Sequence, residues 1–154
     1  MHTLNLKKGI FLLFMVFALV IISCKDDPLE PDMDHFEAEG IVFYQSGIKI
    51  GEIFRGITQD TLFARVGETS AHIEVKFFNS NKNELDPPDH TKQPFGWEIQ
   101  DTTVVGIWQH PGEEGSYEFH LVGKQIGITN IEFFIMHEGH ADFRSGKIPV
   151  KVTN

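Results

Sequence analysis

From Gly40 to the end of the chain, apolar side chains recur at every second residue rather than at helical spacing. Four segments have this pattern clearly: Ile73–Phe77, Tyr117–Leu121, Ile131–Ile135 and Ile148–Val152. Because successive side chains of a strand point to opposite faces of a sheet, such alternation predicts half-buried β-strands. Turn residues interrupt the pattern about every 8–12 residues, as is typical of an all-β sandwich or barrel. We therefore predict one all-β domain over residues 40–154, a β-sandwich of about eight strands.

An additional hairpin is predicted at the start of this domain. The apolar run Ile41–Tyr44 is followed by the turn signal Gln45–Gly47, and apolar residues resume at Ile48 and Ile50. A short polar segment containing glycine between two apolar runs is typical of a β-hairpin. We expect this hairpin to be an addition to the strands of the sandwich itself.

The N-terminus has the pattern of a secretory signal. Two lysines precede an uninterrupted apolar run, Ile10–Ile22, which ends at the small residue Ser23 and the only cysteine of the sequence, Cys24. As a helix this run would be about 20 Å long, too short for a hydrocarbon core of about 30 Å. A charged start, a short apolar stretch and a small residue predict a signal peptide over residues 1–23.

The tetrapeptide Ile21-Ile22-Ser23-Cys24 resembles the lipobox of bacterial lipoproteins, with isoleucine at the position where leucine is usual. The resemblance implies that Cys24 becomes the mature N-terminus and carries acyl chains, several of which hold a protein firmly to a membrane. The following Lys25-Asp26-Asp27 resembles a short export signal of some Gram-negative lipoproteins. We expect an outer-membrane location, and the sequence leaves open whether the protein faces the cell surface or the periplasm.

Residues 24–39 are predicted to form an acidic tether. Pro28 and Pro31 lie among seven acidic residues before Gly40, and charge repulsion together with proline favours an extended chain. The whole sequence has a formal net charge of −9 at pH 7. Because binding to phosphate backbones needs a cationic face, we predict no nucleic-acid partner.

Several short motifs resemble those of the bacterial immunoglobulin-like domains of group 2. They are a Val-Gly-x-Thr turn, a tryptophan strand, a turn leading to a valine-rich strand, a glycine-rich turn before a further strand, and a final apolar strand: Val66–Thr69, Trp97–Ile99, Asp101–Ile107, Gly123–Ile131 and Ile148–Val152. The resemblance implies an immunoglobulin-like sandwich in a non-catalytic module of a surface or adhesion protein. In such a sandwich we expect Trp97 to fill the space between the two sheets.

A histidine-rich turn over Met136–Asp142 is the cluster that most suggests chemistry. His137 and His140 flank a predicted tight turn, from which both imidazoles can reach one metal ion. His120, Glu118 or His110 from neighbouring strands and loops would complete the coordination. The ion would be zinc or copper, both of which suit imidazole. The alternative is structural, without a cofactor: His137 continues the apolar face of Ile131–Ile135 and lies at the rim of the core, Gly139-His140 is only a turn, and Asp142 caps local backbone N–H groups. The sequence leaves both interpretations open.

Two functions follow as hypotheses. The sequence contains no nucleophile elbow, P-loop or dinucleotide fingerprint, so we predict neither an enzyme nor a nucleotide ligand. The first hypothesis is a non-enzymatic, lipid-anchored envelope protein whose sandwich binds a protein or a glycan. Four aromatic residues would form a platform for such a partner if they face outwards, and otherwise pack under the hairpin: Phe78, Phe95, Trp108 and Phe134. The second hypothesis is a lipid-anchored carrier or sensor of zinc or copper that uses His137 and His140.

Overall fold

The computed structural model describes residues 35–154, in which ten β-strands occur. In chain order they are β1 (Gly40–Gln45), β2 (Ile48–Phe54), β3 (Leu62–Arg65), β4 (Ile73–Phe78), β5 (Glu84–Leu85), β6 (Phe95–Ile99), β7 (Val105–Trp108), β8 (Glu118–Gly123), β9 (Gly127–His137) and β10 (His140–Thr153). These residues contain no helix, and hence none long and apolar enough to cross a membrane. The all-β prediction is confirmed.

The chain divides into two units, Met1–Met33 and Asp34–Asn154. Three predictions fall wholly on residues outside the described range, as do residues 24–34 of the predicted tether. They are the signal peptide over 1–23, the lipidated Cys24, and the export signal Lys25-Asp26-Asp27.

The strands form two sheets that share one core. One sheet has the order β2-β1-β4-β8-β7, with β5 paired to β4, and the other has the order β3-β10-β9-β6. Strand β3 runs parallel to β10, with Leu62 opposite Val150, whereas the other paired strands are antiparallel. If the β1–β2 hairpin and the short β5 are set aside and the rest are lettered A to G, the sheets contain B-E-D and C-F-G. Six of the seven lettered strands have the immunoglobulin arrangement, and strand A (β3) departs from it by pairing with G in the C-F-G sheet instead of lying in the B-E-D sheet. The predicted sandwich is confirmed, with eight strands following the hairpin.

The predicted hairpin is confirmed as β1 and β2, but it is an integral part of the first sheet. Strand β1 pairs with β2 on one side and with β4 on the other, where Gly40 lies opposite Phe78. The turn residues Ser46 and Gly47 both have positive φ, 51° and 74°, as a two-residue type I′ turn requires. The side chains of Ile41 and Phe43 are fully buried. The hairpin therefore contributes to the core that both sheets cover.

The core between the sheets is dominated by phenylalanine. Phe95 of β6 stacks on Phe133 of β9 with ring centroids 5.3 Å apart, and Phe43 of β1 approaches Phe133 from the other sheet at 5.1 Å. Trp97, which was expected to fill the space between the sheets, is only partly buried and packs at the edge of this cluster.

The last five residues of the predicted tether lie against the sandwich instead of extending away from it. The side chains of Phe36 and Ala38 pack on the core, and the Phe36 ring meets that of Phe77 edge-on at 5.0 Å. The Glu39 amide donates to the Phe78 carbonyl at 2.8 Å. Charge and proline content favoured an extended tether up to residue 39. Burial of two alternating apolar residues overrides charge repulsion in this segment.

Candidate metal centre

A tight turn joins β9 to β10 and makes His137 and His140 neighbours. The two residues are directly opposite each other in the register of these strands. Between them, Glu138 and Gly139 have φ angles of 47° and 86°, the left-handed conformation that a two-residue hairpin turn needs and that glycine adopts at no steric cost. The spacing of three residues, which is wrong for a helical zinc motif, is therefore right for a cross-strand pair. The imidazole centroids are 6.0 Å apart.

A β-bulge near the turn adds Asp142 to this pair. The register pairs Ala141 with Met136 and Phe143 with Ile135, which leaves Asp142 as the extra residue. Bulges characteristically re-aim a side chain beside a functional site. The Asp142 side chain is only 1% exposed, and its carboxylate lies 3.0 Å from His140 Nε2 and 3.3 Å from His137 Nδ1.

The fourth residue of the cluster, His35, comes from the N-terminal segment that packs on the sandwich. Its Nδ1 lies 2.8 Å from Asp142 Oδ1, and its ring is 5.4 Å from that of His137 and 5.3 Å from that of His140. One ligand atom from each of these four residues lies within 4.8 Å of all the others. We call this group the first site: His35, His137, His140 and Asp142.

The first site surrounds a buried carboxylate with positive or polar groups. Burial raises the pKa of the Asp142 carboxyl, but the hydrogen bonds from His35 and from the Phe36 amide, with the charges of His35 and His137, outweigh burial and hold it below its ordinary value of 3.8. The carboxylate is thus ionised over the whole physiological range. An ionised oxygen among three imidazoles is a donor set that zinc and copper prefer.

His120 belongs to a different cluster from the one predicted for it. It lies with His72 and His110, and the three residues offer ligand atoms within 4.8 Å of one another. His120 is on β8 in one sheet, whereas the β9–β10 turn belongs to the other. The predicted ligand set of His137, His140 and His120 is therefore corrected to two groups. We call His72, His110 and His120 the second site.

Sequence reasoning missed His35 and gave no role to His72. His35 was assigned to the tether on charge, although Phe36 and Ala38 show a short alternation that predicts packing of this segment. His72 precedes β4 by one residue, and alternation with the buried Ile73 places it on the outer face without any sign that it is a ligand. His137 does lie at the rim of the core, as the structural alternative predicted, with 8% of its surface exposed. Core position and contact with the other ligands are thus compatible.

The four aromatic residues considered for a binding platform do not share a surface. Phe78 and Phe95 are buried, with 6% and 4% exposed. Trp108 lies on β7 and Phe134 on β9, which belong to different sheets. Trp108 instead stands beside the second site, with its ring centroid 4.5 Å from that of His110 and 4.9 Å from that of His120.

Comparisons with known proteins add little. No protein-family model matches the chain, and no curated protein matches it. A solved structure that is similar is the crystal structure of domains 4 and 5 of the S-layer protein SbsC, with 16% sequence identity and a TM-score of 0.41. The alignment covers 61% of this chain and 47% of that one, so the chain spans about half the length of the S-layer structure.

Proposed function

We propose that this protein is a lipid-anchored, zinc-binding protein of the bacterial envelope, in which the first site holds the ion. The observation that supports the proposal is the convergence of His35, His137 and His140 on the buried carboxylate of Asp142, with all four ligand atoms within 4.8 Å of one another. Of the two functions predicted from the sequence, this geometry favours the metal carrier over the protein- or glycan-binding module.

The choice of zinc rests on the donor set and its spacing. Three imidazole nitrogens and one carboxylate oxygen make up a four-coordinate shell of the kind that zinc prefers. Atoms of a tetrahedral zinc shell are about 3.3 Å apart when the bonds are about 2.0–2.1 Å long. His35 Nδ1 and His140 Nε2 lie 2.8 and 3.0 Å from Asp142 Oδ1, a little below this value, and His137 Nδ1 lies 3.3 Å from the other carboxylate oxygen, Oδ2.

The number of ligands argues against catalysis at the first site. Catalytic zinc sites keep one position open for water or substrate, whereas sites filled by four protein ligands hold the ion without reacting. The first site supplies four protein ligands, so an ion there has no position left for a substrate.

The envelope location is proposed on the resemblance of Ile21-Ile22-Ser23-Cys24 to a lipobox. Acylation at Cys24 would hold the domain at the outer membrane, and Lys25-Asp26-Asp27 supports export to its outer face. Extracellular protease added to intact cells tests the orientation. Digestion of the protein on intact cells supports surface display, and digestion only after the outer membrane is permeabilised supports the periplasmic face.

Metal analysis of the full chain, purified in detergent without a histidine tag, tests the proposed function. His140→Ala and His35→Ala each remove an exposed ligand, so neither opens a cavity in the core. Each variant should bind one zinc ion fewer than the unmodified chain. His90→Ala is the matched control, because His90 is exposed and belongs to neither site. Zinc content unchanged in both ligand variants would overturn the proposal, and uptake of copper(II) with no uptake of zinc would overturn the choice of ion.

A further inference from the structure

The second site has a geometry of its own that no part of the proposed function uses. His110 Nε2 lies 3.2 Å from His72 Nε2 and 3.3 Å from His120 Nε2. Three ring nitrogens thus converge on one point from β8, from the residue before β4 and from the loop after β7. The separations match the edge of a tetrahedral metal shell, which is about 3.3 Å for metal–nitrogen bonds of about 2.0–2.1 Å.

Hydrogen bonds at the opposite ring nitrogens determine which atoms face inwards as acceptors. His120 Nδ1 lies 2.7 Å from the Ser70 carbonyl oxygen, which only accepts hydrogen bonds, so Nδ1 carries the proton. His72 Nδ1 lies 3.4 Å from a Glu118 carboxylate oxygen, which likewise accepts. In neutral histidine the other nitrogen, Nε2, then presents a lone pair. A ring nitrogen held in this way by a carbonyl or a carboxylate is the usual arrangement of a metal-binding histidine.

Between neutral rings, the two hydrogen bonds at His110 Nε2 cannot both form. The Nε2 atoms of neutral His72 and His120 are acceptors, and the Nε2 of His110 lies between them at hydrogen-bond distance from both. A proton on His110 Nε2 can be donated to one of the two neighbours and leaves the other facing it without a good bond. A metal ion at the point of convergence would receive all three lone pairs.

The surroundings hold each of these histidines in place. Ser70, whose carbonyl contacts His120, is itself tied to Leu121 by two hydrogen bonds, from the Leu121 amide to Ser70 Oγ at 2.9 Å and from the Ser70 amide to the Leu121 carbonyl at 2.8 Å. Gln109 anchors the loop that presents His110, because its side-chain amide donates to the carbonyls of Ser116 and Glu118 at 2.8 and 2.9 Å. A site assembled before binding loses little entropy when the ion enters.

His120 is buried on the outer face of its sheet, where exposure is the rule. The core-facing residues of β8 are Phe119 and Leu121, so His120 points away from the core, yet only 7% of it is exposed. Trp108, its partner across β7 and β8, covers it together with the other two histidines. The cover shields the ring nitrogens from bulk water on one side, while His72, with half of its side chain exposed, leaves the other side accessible.

We propose that His72, His110 and His120 form a second metal site, which binds zinc through three nitrogens and leaves the fourth position open to a water molecule or a small anion. It differs from the first site in having three protein ligands in place of four. Open fourth positions are typical of zinc that exchanges ligands or reacts with them. The chain thus holds one closed site and one open site.

The two sites are far enough apart to bind independently. Phe36, which positions the first site, packs against Phe77 near the end of β4, and His72 immediately precedes the start of the same strand. Strand β4 has six residues and is therefore about 20 Å long. Variants of one site should leave the affinity of the other unchanged.

Zinc and cobalt(II) titrations of the full chain test the proposal. The unmodified chain should bind two zinc ions, and His110→Ala and the exposed variant His72→Ala should each bind one. The variant His140→Ala, which changes only the first site, should also bind one, and the His110→Ala/His140→Ala double variant should bind none. Equal stoichiometry in the unmodified chain and in both second-site variants, with far-UV spectra showing that all are folded, would overturn the second site. A single ion that is lost in His110→Ala and kept in His140→Ala would instead overturn the proposed function.

Azide tests the open position. The visible spectrum of cobalt(II) in His140→Ala, where only the second site is filled, should change on addition of azide, because the anion enters the fourth position. The spectrum in His110→Ala, where four protein ligands surround the ion, should not change. Absence of an azide effect in His140→Ala would overturn the open coordination of the second site.

Discussion

His35 Nδ1 lies 2.8 Å from Asp142 Oδ1, although the two residues are 107 positions apart in the chain. The contact joins the segment that precedes the sandwich to the bulge on its last strand. It also fills a gap in the ligand set, because the β9–β10 turn supplies only two of the three imidazoles of the first site. The proposed metal centre therefore depends on how the N-terminal segment packs.

Removal of the charge on Asp142 should abolish tight zinc binding at the first site. In Asp142→Asn the side chain keeps its size but loses the anionic oxygen that faces three imidazoles. We expect zinc affinity to fall at least about 100-fold, since even residues that only support a ligand contribute 10- to 100-fold. Competition with a chromogenic chelator measures this, with the second site removed by His110→Ala.

The matched control for this change is Asp86→Asn, which removes the same charge from an exposed residue paired with Lys76 at 3.2 Å. Its zinc affinity should equal that of the parent chain. Equal losses in the two variants would point to a general effect of charge and contradict ligation by Asp142.

Zinc bound at the first site should raise the free energy of unfolding of the domain. An ion present at about 100 times its dissociation constant adds about 2.7 kcal/mol to the free energy of unfolding. For a domain of this size that corresponds to an increase of about 10 °C in Tm. Differential scanning calorimetry of His110→Ala with and without zinc measures the effect of the first site alone. An increase of the same size in the double variant that also carries His140→Ala would contradict the prediction.

The stability of the metal-free protein should depend on the ionisation of Asp142. Its pKa is depressed in the folded state, so the folded protein binds this proton less readily than the unfolded chain does. The resulting stability is fully present above the unfolded-state pKa of about 3.9 and is lost as the pH falls through the lower folded-state pKa. Asp142→Asn has no such titration.

We therefore expect the difference in unfolding free energy between the metal-free parent and Asp142→Asn to shrink as the pH is lowered from about 5 to about 2. Urea unfolding in the presence of a chelator, at several pH values, gives this difference. A gap that stays constant or widens with acidification would contradict a depressed pKa.

Truncation of Phe36 should weaken zinc binding without touching a ligand. Phe36→Ala removes the ring that packs on Phe77 and so releases the segment that presents His35. Because the ring is only partly buried, we expect the unfolding free energy to fall by about 2 kcal/mol, less than the 3–5 kcal/mol typical of a fully buried phenylalanine. Zinc affinity of the first site should fall about 10-fold, as for other residues that position a ligand.

Glu37→Ala is the control for this truncation, because Glu37 is the exposed neighbour in the same segment. Isothermal titration of both variants should show a loss of affinity in Phe36→Ala alone. Unchanged affinity in a folded Phe36→Ala protein would mean that His35 is held by other contacts.

Replacement of Cys24 should release the protein from the membrane. Cys24→Ser cannot be acylated, and without acyl chains the membrane anchor proposed here is lost. Palmitate labelling and cell fractionation measure this, with the unmodified chain as reference. Labelling of Cys24→Ser at the level of the unmodified chain would contradict a lipobox.

Several strands could be predicted because alternation is a local property of the sequence, whereas β3 and β5 were not predicted and β10 begins at His140, eight residues before the predicted Ile148–Val152. The alternation in Ile73–Phe77 and Ile131–Ile135 predicts which side chains face the core, and those side chains are buried. The turn at Glu138 and Gly139 was predicted in the same way, since turn residues specify backbone geometry within a few positions. His137 and His140 could therefore be recognised as a pair before any fold was known.

The remaining ligands could not be predicted, because their positions depend on distant contacts. His120 was grouped with His137 and His140 on chemistry alone, and the order of strands in the sheets separates them. Asp142 enters the site through a register shift between β9 and β10, which no local pattern indicates. His35 reaches it only because Phe36 finds a place on Phe77.

By itself, the sequence determined an all-β sandwich with an N-terminal hairpin and a pair of histidines across a tight turn, since alternation and turn chemistry act between near neighbours. Only the tertiary structure decided which histidines share a site, dividing six of them between two clusters. The physical reason is that ligand atoms come together through strand pairing and packing between residues far apart in the chain. These interactions produce no periodic pattern in the sequence.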